Sequence, residues 1–114
     1  MNEPDTIILV SNYGMGNGDQ QLRQKLIHSY LTLLSQQENL PYAICFYTEG
    51  VKLVVDGSPV LSLLENLEHR GVRLIVCTTC LNYYNLIDQL RVGIAGSMAD
   101  ILEAQLRAQK VISL

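Results

Sequence analysis

The chain has 114 residues, 48% hydrophobic and 17% charged, which excludes a disordered protein and fits a single domain over residues 1–114 with its own core. Its 8 basic and 11 acidic residues give a net charge of −3 without a basic stripe, which argues against nucleic-acid binding. No run of about 18 apolar residues and no basic N-terminal region is present, so we expect a cytoplasmic protein that neither enters the membrane nor carries a secretory signal.

The first third of the chain predicts strand, loop, helix and strand. The β-branched run Thr6–Val10 is typical of a strand buried on both faces, and a glycine-rich loop, Ser11–Gly18, follows it. Asp19 is a suitable N-cap for a helix. The inward face of that helix is predicted to hold Leu22, Leu26, Ile27, Tyr30, Leu33 and Leu34. Tyr42–Tyr47 then predicts the second strand.

The middle of the chain predicts a second helix and a third strand. Residues 50–55 fit a short helix or a strand, and a helix or turn is favoured. Ser58 and Pro59 have the form of an N-cap and first helical residue, and Gly71 that of a C-cap. The apolar stripe between them is Val60, Leu63, Leu64 and Leu67. Residues 72–76 predict the third strand.

The last third predicts short helical turns over residues 81–90 and a brief fourth strand over 92–95. Ser97 and Asp100 have the spacing of a capping box, which begins a last helix. Its inward residues are predicted to be Met98, Ile101, Leu102 and Leu106. Residues 110–114 predict a fifth strand.

Repeated alternation of strand and helix predicts an α/β sandwich with a mostly parallel five-stranded sheet. Ligands of such sheets bind at the carboxyl ends of the strands. We therefore expect the loops 11–18, 48–50 and 77–80 to meet at one edge of the sheet.

Cys77 ends the third predicted strand and precedes a helix start, and Cys80 follows three residues later. Free backbone N–H groups and the helix dipole at such a place favour the thiolate, which is the form that attacks sulfur. A C-x-x-C pair in this position indicates redox or sulfur chemistry. The pattern therefore predicts that Cys77 presents an accessible, acidified thiol.

Two other interpretations of the cysteines remain open. Small buried cysteines also fill space in a core, and this is the favoured interpretation for Cys45, inside the second strand. A zinc site would need further ligands, and His28 and His69 stand alone on predicted helices. We therefore predict no metal and no resident cofactor.

Gly14, Gly16 and Gly18 lie between the first strand and a helix N-terminus, where backbone amides often hold an anion. Their spacing matches neither a Walker motif nor a dinucleotide fingerprint. A turn that needs positive φ angles explains them equally well.

Three segments carry a family resemblance: Gly50-Val-Lys-Leu53, the run from Gly71 to Tyr84 with Cys-Thr-Thr-Cys-Leu-Asn-Tyr-Tyr at its end, and Val92-Gly93 with Ser97-Met98. They resemble the DsrE/DsrF-like family, most closely the DsrE-like C-terminal domain of YedF, a group of sulfurtransferase-like selenium metabolism proteins. Asn85 stands where that group usually has glycine, and asparagine tolerates the same left-handed turn.

The resemblance implies a three-layer flavodoxin-like sandwich and a homo-oligomer, as a dimer, trimer or hexamer. It also implies cytoplasmic handling of sulfane sulfur or selenium, with a TusA-like sulfur carrier as a candidate partner. In sulfur-relay members the cysteine at this strand end carries a persulfide, a role that falls here on Cys77, with Cys80 as the second cysteine.

The leading hypothesis is thus a sulfur carrier or sulfurtransferase-like protein with Cys77 and Cys80 as its reactive residues. The residues expected to line its pocket are Tyr13, Gly14, Gly16, Gly18, Glu49, Gly50, Thr78, Thr79, Ser97 and Met98. The alternative is a non-catalytic oligomeric module that holds a small anion or nucleotide at the glycine-rich loop.

Overall fold

The structure is a computed structural model that describes residues 2–114, with side chains described from Thr6 onward. Its strands are β1 Asn2–Val10, β2 Leu40–Phe46, β3 Arg73–Cys77, β4 Ile94–Gly96 and β5 Lys110–Ser113. Its α-helices are α1 Gln20–Ser35, α2 Leu61–His69, α3 Thr78–Tyr83 and α4 Met98–Arg107. Two 3-10 helices, Thr48–Leu53 and Ile87–Gln89, complete the order. No helix within residues 2–114 has the length and apolar character needed to cross a membrane.

The five strands form one sheet in the order β4-β3-β2-β1-β5, and all four ladders are parallel. Parallel neighbours require crossover connections, which the helices supply. The predicted α/β sandwich with a five-stranded parallel sheet is confirmed.

The sheet has two different faces, and side chains alternate between them along β1. Ile8 and Val10 point toward α1, α2 and the first 3-10 helix, and we call this side the α1/α2 face. Ile7 and Leu9 point to the other side, the α4 face, together with Cys45, Cys77 and the buried residues of α4.

The predicted inward stripes of α1 and α4 are partly wrong. In α1 the fully buried residues are Ile27 and Leu31, whereas Leu22, Leu26 and Leu33 are exposed. In α4 the buried residues are Ile101 and Ala104, whereas Met98, Leu102 and Leu106 are exposed. Each helix carries apolar residues at helical spacing on more than one side, and the side with the better fit to the sheet turns inward.

Several predicted boundaries move by two or three residues. The helix α2 begins at Leu61, because Pro59 and Val60 form a turn in which the Ser58 hydroxyl accepts the Val60 N–H at 3.2 Å. Asp19 occupies the N-cap position of α1, but its side chain makes no capping hydrogen bond. The strand β4 begins at Ile94, since Gly93 has a φ of 82°.

The predicted start of α4 and the turn at Asn85 are confirmed. The Ser97 hydroxyl accepts the Asp100 N–H at 3.2 Å, and the Asp100 carboxylate accepts the Ser97 N–H at 2.8 Å. Asn85 has a φ of 58°, the left-handed conformation that the sequence predicts. The short helix favoured for residues 50–55 is the 3-10 helix Thr48–Leu53.

Candidate functional site

The loops after β1, β2 and β3 meet at the carboxyl edge of the sheet, and Thr48 joins all three. Its hydroxyl donates to the carbonyl oxygen of Ser11, after β1, at 2.5 Å. Its backbone N–H donates to the Sγ of Cys80, in α3, at 3.1 Å. The predicted convergence of these loops is therefore confirmed, and Cys80 lies at its centre.

Cys77 occupies the predicted place, at the end of β3 and the start of α3, but its side chain is only 1% exposed. It points to the α4 face and joins the apolar cluster beneath that helix, with Ile75 and Ile101 among its members. The prediction of an accessible thiol at Cys77 is therefore wrong. The end of a strand fixes where the backbone of Cys77 lies, but it does not fix whether the side chain points toward a face that a helix covers.

Cys80 is the accessible member of the pair. It is half-buried, and it packs at the junction of the two core clusters. Burial raises the pKa of the Cys80 thiol, the hydrogen bond to the Cys77 side chain raises it further, and the Thr48 N–H lowers it in part. The half-buried Cys80 thiol is therefore less acidic than a free cysteine, and Thr48 supplies the contact that favours its thiolate.

Thr48 holds a strained backbone conformation, with a φ of 45°. A β-branched residue in the left-handed region is a genuine outlier, and such strain concentrates at functional sites. The hydroxyl bond to Ser11 helps to hold this conformation and so directs the N–H at the Cys80 sulfur. The sequence predicts that the loop 48–50 lies at the site but does not single out Thr48, because no local pattern marks a positive φ at threonine.

Gly50 allows the first 3-10 helix to lie directly against the end of β1. A Cβ at this position would lie 2.1 Å from the Val10 carbonyl oxygen, which is a severe steric clash. The Tyr47 N–H donates to the same oxygen at 3.1 Å. The segment that carries Thr48 is thus tied to β1 by close packing as well as by hydrogen bonds.

The glycine-rich loop is fastened to α1 by Arg23. The Arg23 guanidinium donates to the carbonyl oxygens of Tyr13 and Gly18, at 2.9 and 2.8 Å. The N–H groups of Tyr13 and Gly14 both donate to Asn12, and that of Met15 donates to Arg23. These three donors are engaged within the loop, which supports a structural role for it.

The other predicted pocket residues divide between two places. Thr78 ties the start of α3 to β4 through a 2.9 Å hydrogen bond to the Gly96 carbonyl, which brings Ser97 and Met98 to the side of Cys77. Thr79 and Glu49 are exposed near Cys80 and Thr48. Gly14, Gly16 and Gly18 bond instead to Asn12 and Arg23.

Cys45 is fully buried in β2, as the sequence predicts. Burial raises the pKa of its thiol to about 11, and the nearby Arg73 charge lowers it only in part. Among the side chains described from Thr6 onward, no three His, Cys, Asp or Glu residues form a group that could hold a metal ion.

Solved structures with the same fold come from bacteria and an archaeon. The ychN protein of E. coli matches with a TM-score of 0.64 at 17% identity, covering 96% of this chain and 98% of its own. MTH1491 from Methanobacterium thermoautotrophicum matches with a TM-score of 0.69 at 18% identity, covering 96% and 97%. BT1422 from Bacteroides thetaiotaomicron gives 0.64 at 13% identity, covering 96% and 95%. The last two are described as proteins of unknown function. At these identities, the three structural matches show a shared fold.

No curated protein sequence matches the chain. A family model matches residues 6–114, which include every element that forms the carboxyl edge of the sheet. The chain belongs to the DsrE/DsrF-like family.

Proposed function

We propose that this protein is a cytoplasmic sulfur carrier or sulfurtransferase-like protein that holds sulfane sulfur as a hydropersulfide at its C-x-x-C pair. The family is associated with sulfur relay. The observation that carries the proposal is the position of Cys80, half-buried at the carboxyl edge of the sheet, with its sulfur accepting the Thr48 N–H and its side chain packed against the cluster that contains Cys77.

Cys80 receives the sulfur first in this proposal, because it is the member of the pair that solvent reaches. The Cys80 thiolate attacks the outer sulfur of a donor hydropersulfide, R–S–SH, which forms Cys80–S–SH and releases R–S⁻. An acceptor thiolate takes the same sulfur by the reverse chemistry and regenerates the Cys80 thiolate. The backbone N–H of Thr48 stabilises the negative sulfur in both directions.

Cys77 provides a second fate for the bound sulfur. Its thiolate can attack the inner sulfur of Cys80–S–SH, which forms a Cys77–Cys80 disulfide and releases HS⁻. The contact between the two side chains supports this step, and the burial of Cys77 protects its sulfur from attack by solvent reagents. The pair could therefore either pass its sulfur to a partner or discharge it as sulfide.

Intact-protein mass spectrometry after treatment with a small-molecule hydropersulfide tests the proposal. The wild type should gain the mass of one sulfur atom, and peptide mapping should place it on Cys80. Cys80→Ser should lose the gain, Cys77→Ser should keep it but release no sulfide, and Cys45→Ala is the matched control that behaves as wild type. If Cys80→Ser gains sulfur as readily as wild type, Cys80 is not the carrier.

We further propose that the chain is closest to the YedF-like group and that its cargo is sulfur or selenium. The Cys-Thr-Thr-Cys-Leu-Asn-Tyr-Tyr segment supports this placement. The same thiolate attacks sulfur and selenium, so treatment with a selenium donor in the mass experiment distinguishes the two cargoes by the mass that is gained.

The partners in this proposal are further copies of the chain, as a dimer, trimer or hexamer, and a TusA-like carrier that exchanges sulfur with Cys80. The exposed stripe Met98, Leu102 and Leu106 on α4 supports association, since contiguous exposed apolar surface commonly marks an interaction site. Analytical ultracentrifugation of wild type and Leu102→Glu should show an assembly for the first and a monomer for the second.

A further inference from the structure

We propose that a pocket between Tyr13 and Tyr84 binds a small organic anion, with the anionic group on Lys52 and an aromatic or aliphatic body between the rings. This inference rests on the proposed function, because it assigns the pocket to the organic part of the sulfur donor. The pocket has a volume of about 350 Å³, within the range of small-molecule sites.

The walls of the pocket come from the loops that follow three adjacent strands. Tyr13 follows β1, Lys52 and Val55 follow β2, and Tyr84 and Leu86 follow β3. The lining is mixed: two aromatic rings and two aliphatic side chains give it an apolar part that suits a flat or branched hydrocarbon body, and Lys52 and Asp56 give it a polar part. A bare inorganic ion would leave that lining without a partner.

Lys52 is the cation of the pocket, and its present partner is easily replaced. Its Nζ lies 4.7 Å from the centre of the Tyr84 ring and 3.1 Å from the Glu49 carboxylate. The Lys52 side chain is 34% exposed, whereas that of Glu49 is 50% exposed. Because exposed ion pairs of this kind contribute little, a ligand anion with apolar contacts of its own can take the place of Glu49.

The acidic residue of the lining does not oppose an anion. Asp56 is paired with Arg91 at 3.0 Å, so its charge is balanced at the rim of the pocket. Lys52 therefore determines the sign of the ligand, and the shape of the lining determines its organic character.

The wall formed by Tyr84 and Leu86 is held in place by hydrogen bonds to α3, the helix that carries Cys80. The left-handed Asn85 turns the chain so that the Leu86 N–H donates to the Leu81 carbonyl at 2.8 Å. The Tyr84 N–H donates to the Cys80 carbonyl at 3.1 Å, so the backbones of the two residues lie one helical turn apart. The opposite wall belongs to the 3-10 helix whose first residue, Thr48, contacts Cys80.

An organic thiosulfonate has the chemistry that this arrangement suits. The Cys80 thiol and R–SO₂–S⁻ give Cys80–S–SH and the sulfinate R–SO₂⁻, so atoms and charge balance without an oxidant or reductant. The leaving sulfinate keeps the negative charge that Lys52 binds.

Binding is tested in the Cys80→Ser protein, which cannot accept sulfur at this position, by titration calorimetry with benzenesulfonate. Lys52→Met should weaken binding by roughly tenfold or more, as the loss of a charged hydrogen bond does. Glu49→Gln should tighten binding, because it frees Lys52. Lys110→Met, the same substitution at the other end of the sheet, should leave it unchanged. Inorganic phosphate should bind more weakly than benzenesulfonate.

The inference is overturned if benzenesulfonate does not bind, if Lys52→Met binds it as tightly as Lys110→Met, or if phosphate binds equally well. Its failure can be told from that of the proposed function. A protein that takes up sulfur from a hydropersulfide but does not bind benzenesulfonate keeps the carrier role and loses the pocket. Binding of benzenesulfonate without any sulfur uptake by the protein that retains Cys80 keeps the pocket and contradicts the carrier role.

Discussion

The α1/α2 face of the sheet is covered by two helices and the first 3-10 helix, whereas the α4 face is covered by one helix. On the first face the covering residues are large, and Leu64 and Leu67 of α2 are fully buried. Under α4 the buried residues include Ala43, Cys45, Cys77 and Ala104, and the outer side of that helix exposes Leu102 and Leu106. The first face is covered by more of the chain than the second, although α1 also exposes Leu22, Leu26 and Leu33 on its outer side.

This difference predicts that substitutions on the two faces have different effects on stability. The well-covered face supplies the apolar burial that folds the chain. The thinly covered face holds the buried cysteines, and Cys80 lies where the two meet. The comparison can be tested by substitutions that should behave differently on the two sides.

The largest difference in the free energy of unfolding is expected between alanine substitutions at two helical leucines, Leu64 in α2 and Leu102 in α4. Leu64→Ala should lower the free energy of unfolding by about 2–5 kcal/mol, because it opens a cavity in the core of the α1/α2 face. Leu102→Ala should change it by less than about 0.5 kcal/mol in the monomer, since the side chain is 51% exposed. Urea unfolding at low protein concentration measures both, and equal losses would contradict the difference between the faces.

The next effect belongs to Cys45, on the α4 face. Its pKa in the folded protein, about 11, lies above the ordinary value of 9.0, so folding favours the protonated thiol. The resulting stability is complete below pH 9 and is lost as the pH rises through 11, by about 2–3 kcal/mol. Urea unfolding of wild type and Cys45→Ala across this window should show a smaller loss in the variant. Parallel curves would show that Cys45 does not titrate on unfolding.

A smaller effect is expected at the start of α4. Ser97→Ala should cost about 1 kcal/mol, because the Asp100 N–H loses its acceptor and the capping box is broken. Ser97→Thr keeps the hydroxyl and is the matched control, which should retain most of the stability. A full loss in the threonine variant would mean that packing at this position, and not the cap, holds the helix.

The smallest effect should come from the exposed ion pair of α4. Arg107 and Glu103 are 3.8 Å apart with side chains 77% and 72% exposed. Arg107→Ala should therefore change the free energy of unfolding by less than about 0.5 kcal/mol. A larger, concentration-dependent loss would place this surface within an interface between copies.

The strands of the parallel sheet were predictable, because strands buried on both faces contain continuous β-branched runs such as Thr6–Val10. The inward side of α4 was not. Met98, Leu102 and Leu106 repeat at helical spacing, and so do Ile101, Ala104 and Ala108. The second set turns inward because its small residues let the helix approach the sheet closely, a property that hydrophobic periodicity does not measure.

The position of the candidate site in the fold was predictable, but the exposure of each cysteine and the hydrogen bond from Thr48 were not. The rule that ligands gather at the carboxyl ends of parallel strands brings Cys80 and the loop 48–50 together. Which cysteine reaches solvent depends on the direction of each side chain, and the hydrogen bond from Thr48 depends on a strained φ angle. Both are properties of the assembled tertiary structure, so neither leaves a local pattern in the sequence.

The bare backbone at Gly50 limits how this protein could be redesigned. A library that varies residues 48–52 to alter the contacts of Cys80 would have to keep position 50 fixed, because even a methyl group there collides with the Val10 carbonyl and would push the segment off the sheet. Randomisation at Lys52 meets no such barrier, so that codon is the natural starting point for directed evolution.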